Sequence, residues 1–279
     1  MLERLLEQRD ALSLVLAGVP TVKTLTAQQW ATAAELLAAL QPFMDVTALM
    51  SATRYPTMSM VIPVLDGLRH LLSTTSGGLD VLRGQLIKQL DDRFGDVFED
   101  DDLCVATMID PRFKATPFDS EDRRRRAVNS TLAAVSATVA QSAVPSSSSV
   151  TAAASVSVTA TLAPAKPSLW DKLDRAAASQ VTATSTASAA GMPESMRHEL
   201  EAYCAEQPLE RSQSPFLWWR EHDKRFPAAA TVARRYLCIP ATSVPTERLF
   251  STAGDVITKK RNSLKPAKAE KVNFVMNNL

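Results

Sequence analysis

The chain has 279 residues, 46% of them hydrophobic, and a formal net charge of +1. That length fits one or two domains with a real core. The near-neutral balance excludes a global basic field for gripping nucleic acid, so any DNA contact needs a local patch. Cys104, Cys204, Cys238, His70, His198 and His222 lie far apart, without the close spacing of zinc sites, and the cysteines read as buried, inert thiols of a reducing compartment. The opening MLERLLEQRDAL is charged and amphipathic rather than a signal core, and no uninterrupted apolar run stands out as a membrane span.

In TAQQWATAAELLAALQPF, Trp30, Ala33, Leu37 and Leu40 recur at helical spacing, with Thr26 as N-cap and Pro42 as stop. PTMSMVIPVLDGLRHLL places Val61, Val64, Leu65, Leu68, Leu71 and Leu72 on one side, and Pro63 either starts that helix or bends it. Leu79, Leu82, Leu86, Leu90, Phe94 and Val97 then form one stripe of the kind that faces a core. The carboxylates of residues 99–102 read as a solvated loop in preference to a metal site. The apolar run 103–109 fits a buried strand or a buried helix, and periodicity does not choose between them. Asp110-Pro111 forces the chain out of helical geometry. Arg123, Arg124, Arg125 and Arg126 suit a nuclear-import signal or a solvated helix face.

From about Thr131 to Ala190 the composition falls to Ala, Ser, Thr and Val, without large side chains to bury, and is expected to be a disordered linker. SLWDKLDRAAA interrupts it, and Trp170 is the residue to anchor that piece on the folded body, dividing the linker into two tethers. PESMRHELEAYCAEQPL carries Met196, Leu200, Tyr203 and Cys204 on one helical face. PFLWWREHDKRFPAAATVARRYLCIP reads as two helices broken at Pro227, rich in large apolar side chains: Trp218, Trp219, Phe226, Val232, Tyr236 and Leu237. In SVPTERLFSTAGD, Ser243 caps a helix and Glu247 lies at the end of its first turn. There a carboxylate suits the dipole, with Leu249 and Phe250 packing and Gly254 ending the helix. Lys259, Lys260 and Arg261 form a basic turn able to touch phosphates. The last helix, KPAKAEKVNFVMNNL, has Pro266 at its start and Val272, Val275, Met276 and Leu279 in one stripe.

The stretch YLCIPATSVPTERLFSTAGDVITKKRNSLKPAKAEKVNFVMNNL resembles the C-terminal dimerisation region of hAT superfamily transposases, and WWREHDKRFPAAATVARRYL resembles the segment before it. MIDPRFK is similar to the family's Leu-Asp-Pro-Arg-x-Lys block, and LTAQQWATAAELLAALQPFMDVTALMSATRYPTMSMVIPVLDGL to the helical region ahead of it. The nearest branch is that of the domesticated BED-type zinc finger proteins. The resemblance implies an RNase H-like catalytic fold interrupted by a helical insertion, with two aspartates and one late glutamate holding divalent metals. The glutamate of the family's Ser-x-x-x-Glu-Arg-x-Phe-Ser motif falls on Glu247, with Ser243, Arg248, Phe250 and Ser251 at the matching positions. The chain is expected to depart from that pattern: it starts inside what resembles the insertion, so the zinc finger and the strands bearing both aspartates are not expected in it. Asp110 belongs to the Asp-Pro-Arg block and fits a structural turn. Glu247 is then a third acid without partners, too little for two-metal chemistry.

The expectation is a mainly α protein, a remnant of an interrupted RNase H-like fold. It has a helical part at 1–118, a low-complexity linker at 119–192 and a C-terminal dimerisation part at 193–279. If strands are missing, residues 103–109 and 236–239 are where apolar faces would be left exposed. The expected function is non-catalytic dimerisation with a second copy or a full-length relative, in the nucleus or otherwise the cytoplasm. No cofactor, metal or membrane is expected. Trp218, Trp219, Tyr236, Leu237, Leu249, Phe250, Val272, Phe274, Val275, Met276 and Leu279 are the candidates for core or interface. A DNA-binding regulator and a residual metal-dependent transposase are the alternatives.

Overall fold

A computed structural model describes residues 1–17, 25–52, 57–74, 78–141, 168–179, 194–244, 246–247, 251, 267–268, 270–271 and 274–275. The described residues are mainly helical, and the sole β pairing among them is an isolated bridge between Thr57 and Pro240.

Two short helices open the chain, α1 (Leu2–Glu7) and α2 (Arg9–Ala17). Helix α3 (Ala27–Ala52) starts as a reciprocal capping box: the Thr26 hydroxyl accepts from the Gln29 amide at 3.3 Å, and the Gln29 side chain accepts from the Thr26 amide at 2.9 Å. The helix then runs through Pro42, which does not end it. Proline removes one backbone hydrogen bond, and Phe43, Val46, Leu49 and Met50 beyond it pack on the α4 cluster and carry the helix onward. Eighteen consecutive residues within Ala27–Ser51 reach a mean hydropathy of 1.2, making α3 the one described helix long and apolar enough, by length and composition alone, to cross a membrane. This departs from the expectation that no apolar run is long enough to span a membrane.

Helix α4 (Val61–Thr74) holds Pro63 in its first turn, where proline is tolerated, and buries Ile62, Val64, Leu68, Leu71 and Leu72. Helix α5 (Asp80–Phe94) departs from its predicted role. Its buried residues are Arg83 and Leu90, while Val81 stays 78% exposed, because the helix packs on α4 from the outside. A 3-10 turn over Gly95–Phe98 drops Phe98 into the interior. The acidic run that follows is a helix start and not a loop. Asp100 caps α6 (Asp101–Ile109) by accepting from the Leu103 amide at 2.9 Å, and Asp101 and Asp102 occupy the first turn, where the helix dipole favours them.

Packing resolves the ambiguity of residues 103–109. All of Cys104, Val105, Ala106, Thr107, Met108 and Ile109 are buried, since α6 is the central helix, touched by α4, by α7 (Glu121–Gln141) and by α11 (Pro227–Tyr236). A helix apolar all round is a buried one. Helix α7 also corrects the predicted linker, for the folded body continues past residue 118. Ala127, Thr131, Leu132 and Val135 are buried against α6. Small side chains, which suggested an unpacked tether, here permit close approach, and alanine is a strong helix former.

The remaining helices are α8 (Asp171–Ser179), α9 (Glu194–Ala205) and α10 (Pro215–His222), followed by α11. One cluster joins Val105, Ile109, Leu132, Leu200, Tyr203 and Trp219, so the middle and last thirds of the chain share a core. Residues 103–109 are therefore covered; of 236–239, Tyr236 and Leu237 are buried and Ile239 is 38% exposed.

Candidate functional site: an aromatic hub and its exposed rim

The hub is built where α9 and α10 meet the C-terminal end of α6. Tyr203 is fully buried. Its hydroxyl donates to the Met108 carbonyl at 3.3 Å, and its ring lies 5.0 Å from Trp219, 5.6 Å from Trp218 and 5.9 Å from Phe226. Offset and edge-on pairs at these separations add to plain area burial. The Trp219 indole N–H donates to the Ile109 carbonyl at 3.0 Å, satisfying one of the acceptors that every helix end leaves open. Glu199 accepts from the Ala229 amide at 3.0 Å, placing a carboxylate in the first turn of α11. Burial pushes the Tyr203 hydroxyl well above its ordinary range. Burial, then the Asp102 carboxylate that accepts its proton at 3.1 Å, raises Tyr236.

The structure separates residues that the sequence left together. Trp219, Tyr236 and Leu237 belong to the core. Trp218 is half-buried, its ring stacked 3.9 Å from His222, whose Nδ1 lies 2.8 Å from the Trp218 carbonyl oxygen. Phe274 and Val275 are 68% and 51% exposed, and on α10 Phe216 and Leu217 are 39% and 50% exposed. Leu249, Phe250, Val272, Met276 and Leu279 lie outside the described residues, as do Lys259, Lys260 and Arg261.

Glu247 is exposed, and its side chain accepts a hydrogen bond from the Ser243 hydroxyl while its amide bonds the Ser243 carbonyl at 2.9 Å. It completes a helix start. Among the described residues, no group of three or more His, Cys, Asp and Glu is placed to hold a metal ion.

Asp110 is buried at the break after α6 and fully engaged. It accepts from the Ser59 hydroxyl at 2.6 Å and from the Arg112 guanidinium at 2.7 and 3.0 Å. A bidentate fork of this kind fixes a turn. The basic run at the start of α7 is likewise occupied: Arg123 pairs with Asp119, Arg124 with Glu121, Arg125 with Asp122 and Arg126 with Glu99. Of the cysteines, Cys104 is buried and Cys204 half-buried, each pushed up to about 11 by burial first, whereas Cys238 is exposed, contrary to expectation.

Lys114 was missed in the sequence. It is buried, sits at φ 50°, and its ammonium donates to the Tyr203 carbonyl at 2.9 Å and to the Glu206 carbonyl, gathering the C-terminal end of α9. Burial lowers it to about 8. The DPRFK string carried the signal, since Asp110, Arg112 and Lys114 are all spent on one turn, but lysine burial has no local signature.

Residues 199–279 match the hAT family C-terminal dimerisation region. The C-terminal part of this chain is hAT-like. Over its whole length the chain is 28% identical to human zinc finger BED domain-containing protein 4, in a 292-residue alignment covering 23% of that protein. A 53-residue stretch, 19% of the chain, is 38% identical to the putative transcriptional regulator tpeD of Talaromyces stipitatus, of which it covers 6%. The chain thus spans less than a quarter of either relative. Most of the aromatic hub lies inside the dimerisation region, yet it faces the chain's own α6.

Proposed function

We propose that the chain is a non-catalytic dimerisation module that joins a second copy of itself or a full-length hAT-type protein in the nucleus. The match of residues 199–279 to the hAT dimerisation region carries the reading. In support, the region spends Tyr203, Trp219 and Leu237 on its own core while Phe216, Leu217, Phe274 and Val275 keep large apolar surface accessible. Size-exclusion light scattering at micromolar concentration tests it: a dimer mass is expected, and a clean monomer overturns the proposal. The non-catalytic part is tested with supercoiled DNA and Mn²⁺. No cleavage is expected, and cleavage abolished by Glu247→Gln would overturn it.

A second reading, DNA-binding regulation, is favoured by the similarity to tpeD. The contacts proposed for it are those of Lys259, Lys260 and Arg261. Three phosphate contacts give a slope of roughly −2.7 for log affinity against log salt, and anisotropy titration of a labelled duplex measures it.

A further inference from the structure

Helix α8 is held against the body at a site made for it. Gly67 on α4 is buried, and a Cβ at that position would lie 2.2 Å from the Leu169 carbonyl oxygen and 3.0 Å from its side chain. The three nearest atoms all belong to Leu169, so the glycine serves the approach of this segment. Around the notch the contacts are specific. Leu169 and Leu173 are buried, and the Trp170 ring stacks 6.0 Å from Phe113 beneath the Arg211 guanidinium at 5.0 Å. Lys172 bonds the buried Asp66 carboxylate at 2.5 Å and reaches Asp119 at 3.4 Å, and Arg211 pairs with Asp174 at 2.6 Å. The segment caps itself: the Asp171 carboxylate accepts from the Ser168 amide at 2.8 Å, and the Ser168 hydroxyl from the Trp170 amide at 3.3 Å. It is a self-contained amphipathic strap in a groove of α4, the Phe113 turn and Arg211.

Chain length sets who can supply the strap. The 26 residues of 142–167 precede it and the 14 of 180–193 follow it. Fully extended, these reach about 90 Å and about 48 Å at roughly 3.4 Å per residue. A folded chain of this size has a radius of gyration of roughly 19 Å. Both connections must span for residues 168–179 to reach a neighbouring molecule, so the shorter sets the limit, about 48 Å, more than twice that radius. We infer that the Gly67 groove also accepts residues 168–179 of a second copy, so that paired chains exchange straps. The inference rests on the dimerisation reading, because two copies joined through residues 199–279 present each strap to the other groove at high effective concentration. Exchange of an identical element is a low-cost addition to such a dimer, since each contact made in trans replaces the same contact in cis.

The test combines two full-length variants, each broken in a different half. Gly67→Leu blocks the groove and keeps the strap; Leu173→Asp spoils the strap and keeps the groove. An isotopically heavy Gly67→Leu chain is mixed with excess light Leu173→Asp chain, and hydrogen exchange of α8 amides is read in the heavy copy by mass spectrometry. Exchange in α8 is expected to slow at least tenfold on mixing, with α6 amides unchanged as the fold control. Unchanged α8 exchange in mixed dimers seen by light scattering overturns strap exchange and leaves dimerisation standing. Absence of mixed dimers overturns both. If Gly67→Leu fails to fold, Gly67→Ala replaces it, since its Cβ alone meets the Leu169 carbonyl and alanine favours α4 intrinsically.

Discussion

Trp219 distinguishes core from interface most sharply, and Trp219→Phe is the perturbation of choice. Phenylalanine keeps an aromatic ring beside Tyr203 but removes the donor that meets the Ile109 carbonyl at 3.0 Å. That acceptor is left buried and unpaired, at a cost of about 1–3 kcal/mol. The smaller ring leaves a void in a site only 5% exposed, and the two effects together reach roughly 2–4 kcal/mol. Against a whole-domain stability of about 5–15 kcal/mol, this is a large fraction. In urea, with a slope of about 2–3 kcal/mol per molar, the midpoint should fall by roughly 1 M. Far-UV circular dichroism measures it, with wild type and variant at the same protein concentration so that association does not move the comparison. Sedimentation equilibrium should show an unchanged dissociation constant. An unchanged urea midpoint together with weakened dimerisation would refute the assignment of Trp219 to the core.

Lys114→Met should alter how stability depends on pH. The lysine titrates near 8 in the folded chain against 10.5 when unfolded. Between those values the unfolded chain holds a proton that the folded chain lacks, so wild-type stability should rise across that window, by roughly 3 kcal/mol at most. Urea titrations between pH 7.5 and about 10.5 check this; identical profiles for the two proteins would contradict the burial argument. Asp110→Asn should cost about 3–5 kcal/mol, because Arg112 is left nearly buried without its counter-charge. Thermal melts measure the loss, and a double-mutant cycle with Ser59→Ala should reveal coupling through the 2.6 Å hydrogen bond.

Local chemistry made much of this protein legible from sequence. The Thr26 cap and the breaks at Asp110 and Pro227 depend on neighbours within a few residues, and all stand in the structure; of the two readings open for Pro63, the structure has the helix start. The resemblance of the C-terminal stretch to the hAT dimerisation region was likewise readable from residue order, and residues 199–279 match it. The failures share one cause. Pro42 inside α3 and the folded α7, like the choice left open between strand and helix for residues 103–109, depend on what packs against them from far along the chain. Neither Lys114 nor Gly67 has meaning until the α9 carbonyls or the Leu169 carbonyl arrive from about a hundred residues away. Trp218, Trp219 and Phe216 are near neighbours in sequence, yet only the position of α6 decides that Trp219 fills the interior and Phe216 retains exposed surface. Composition and periodicity fix which surfaces are apolar, whereas long-range packing fixes which of them the chain keeps for itself.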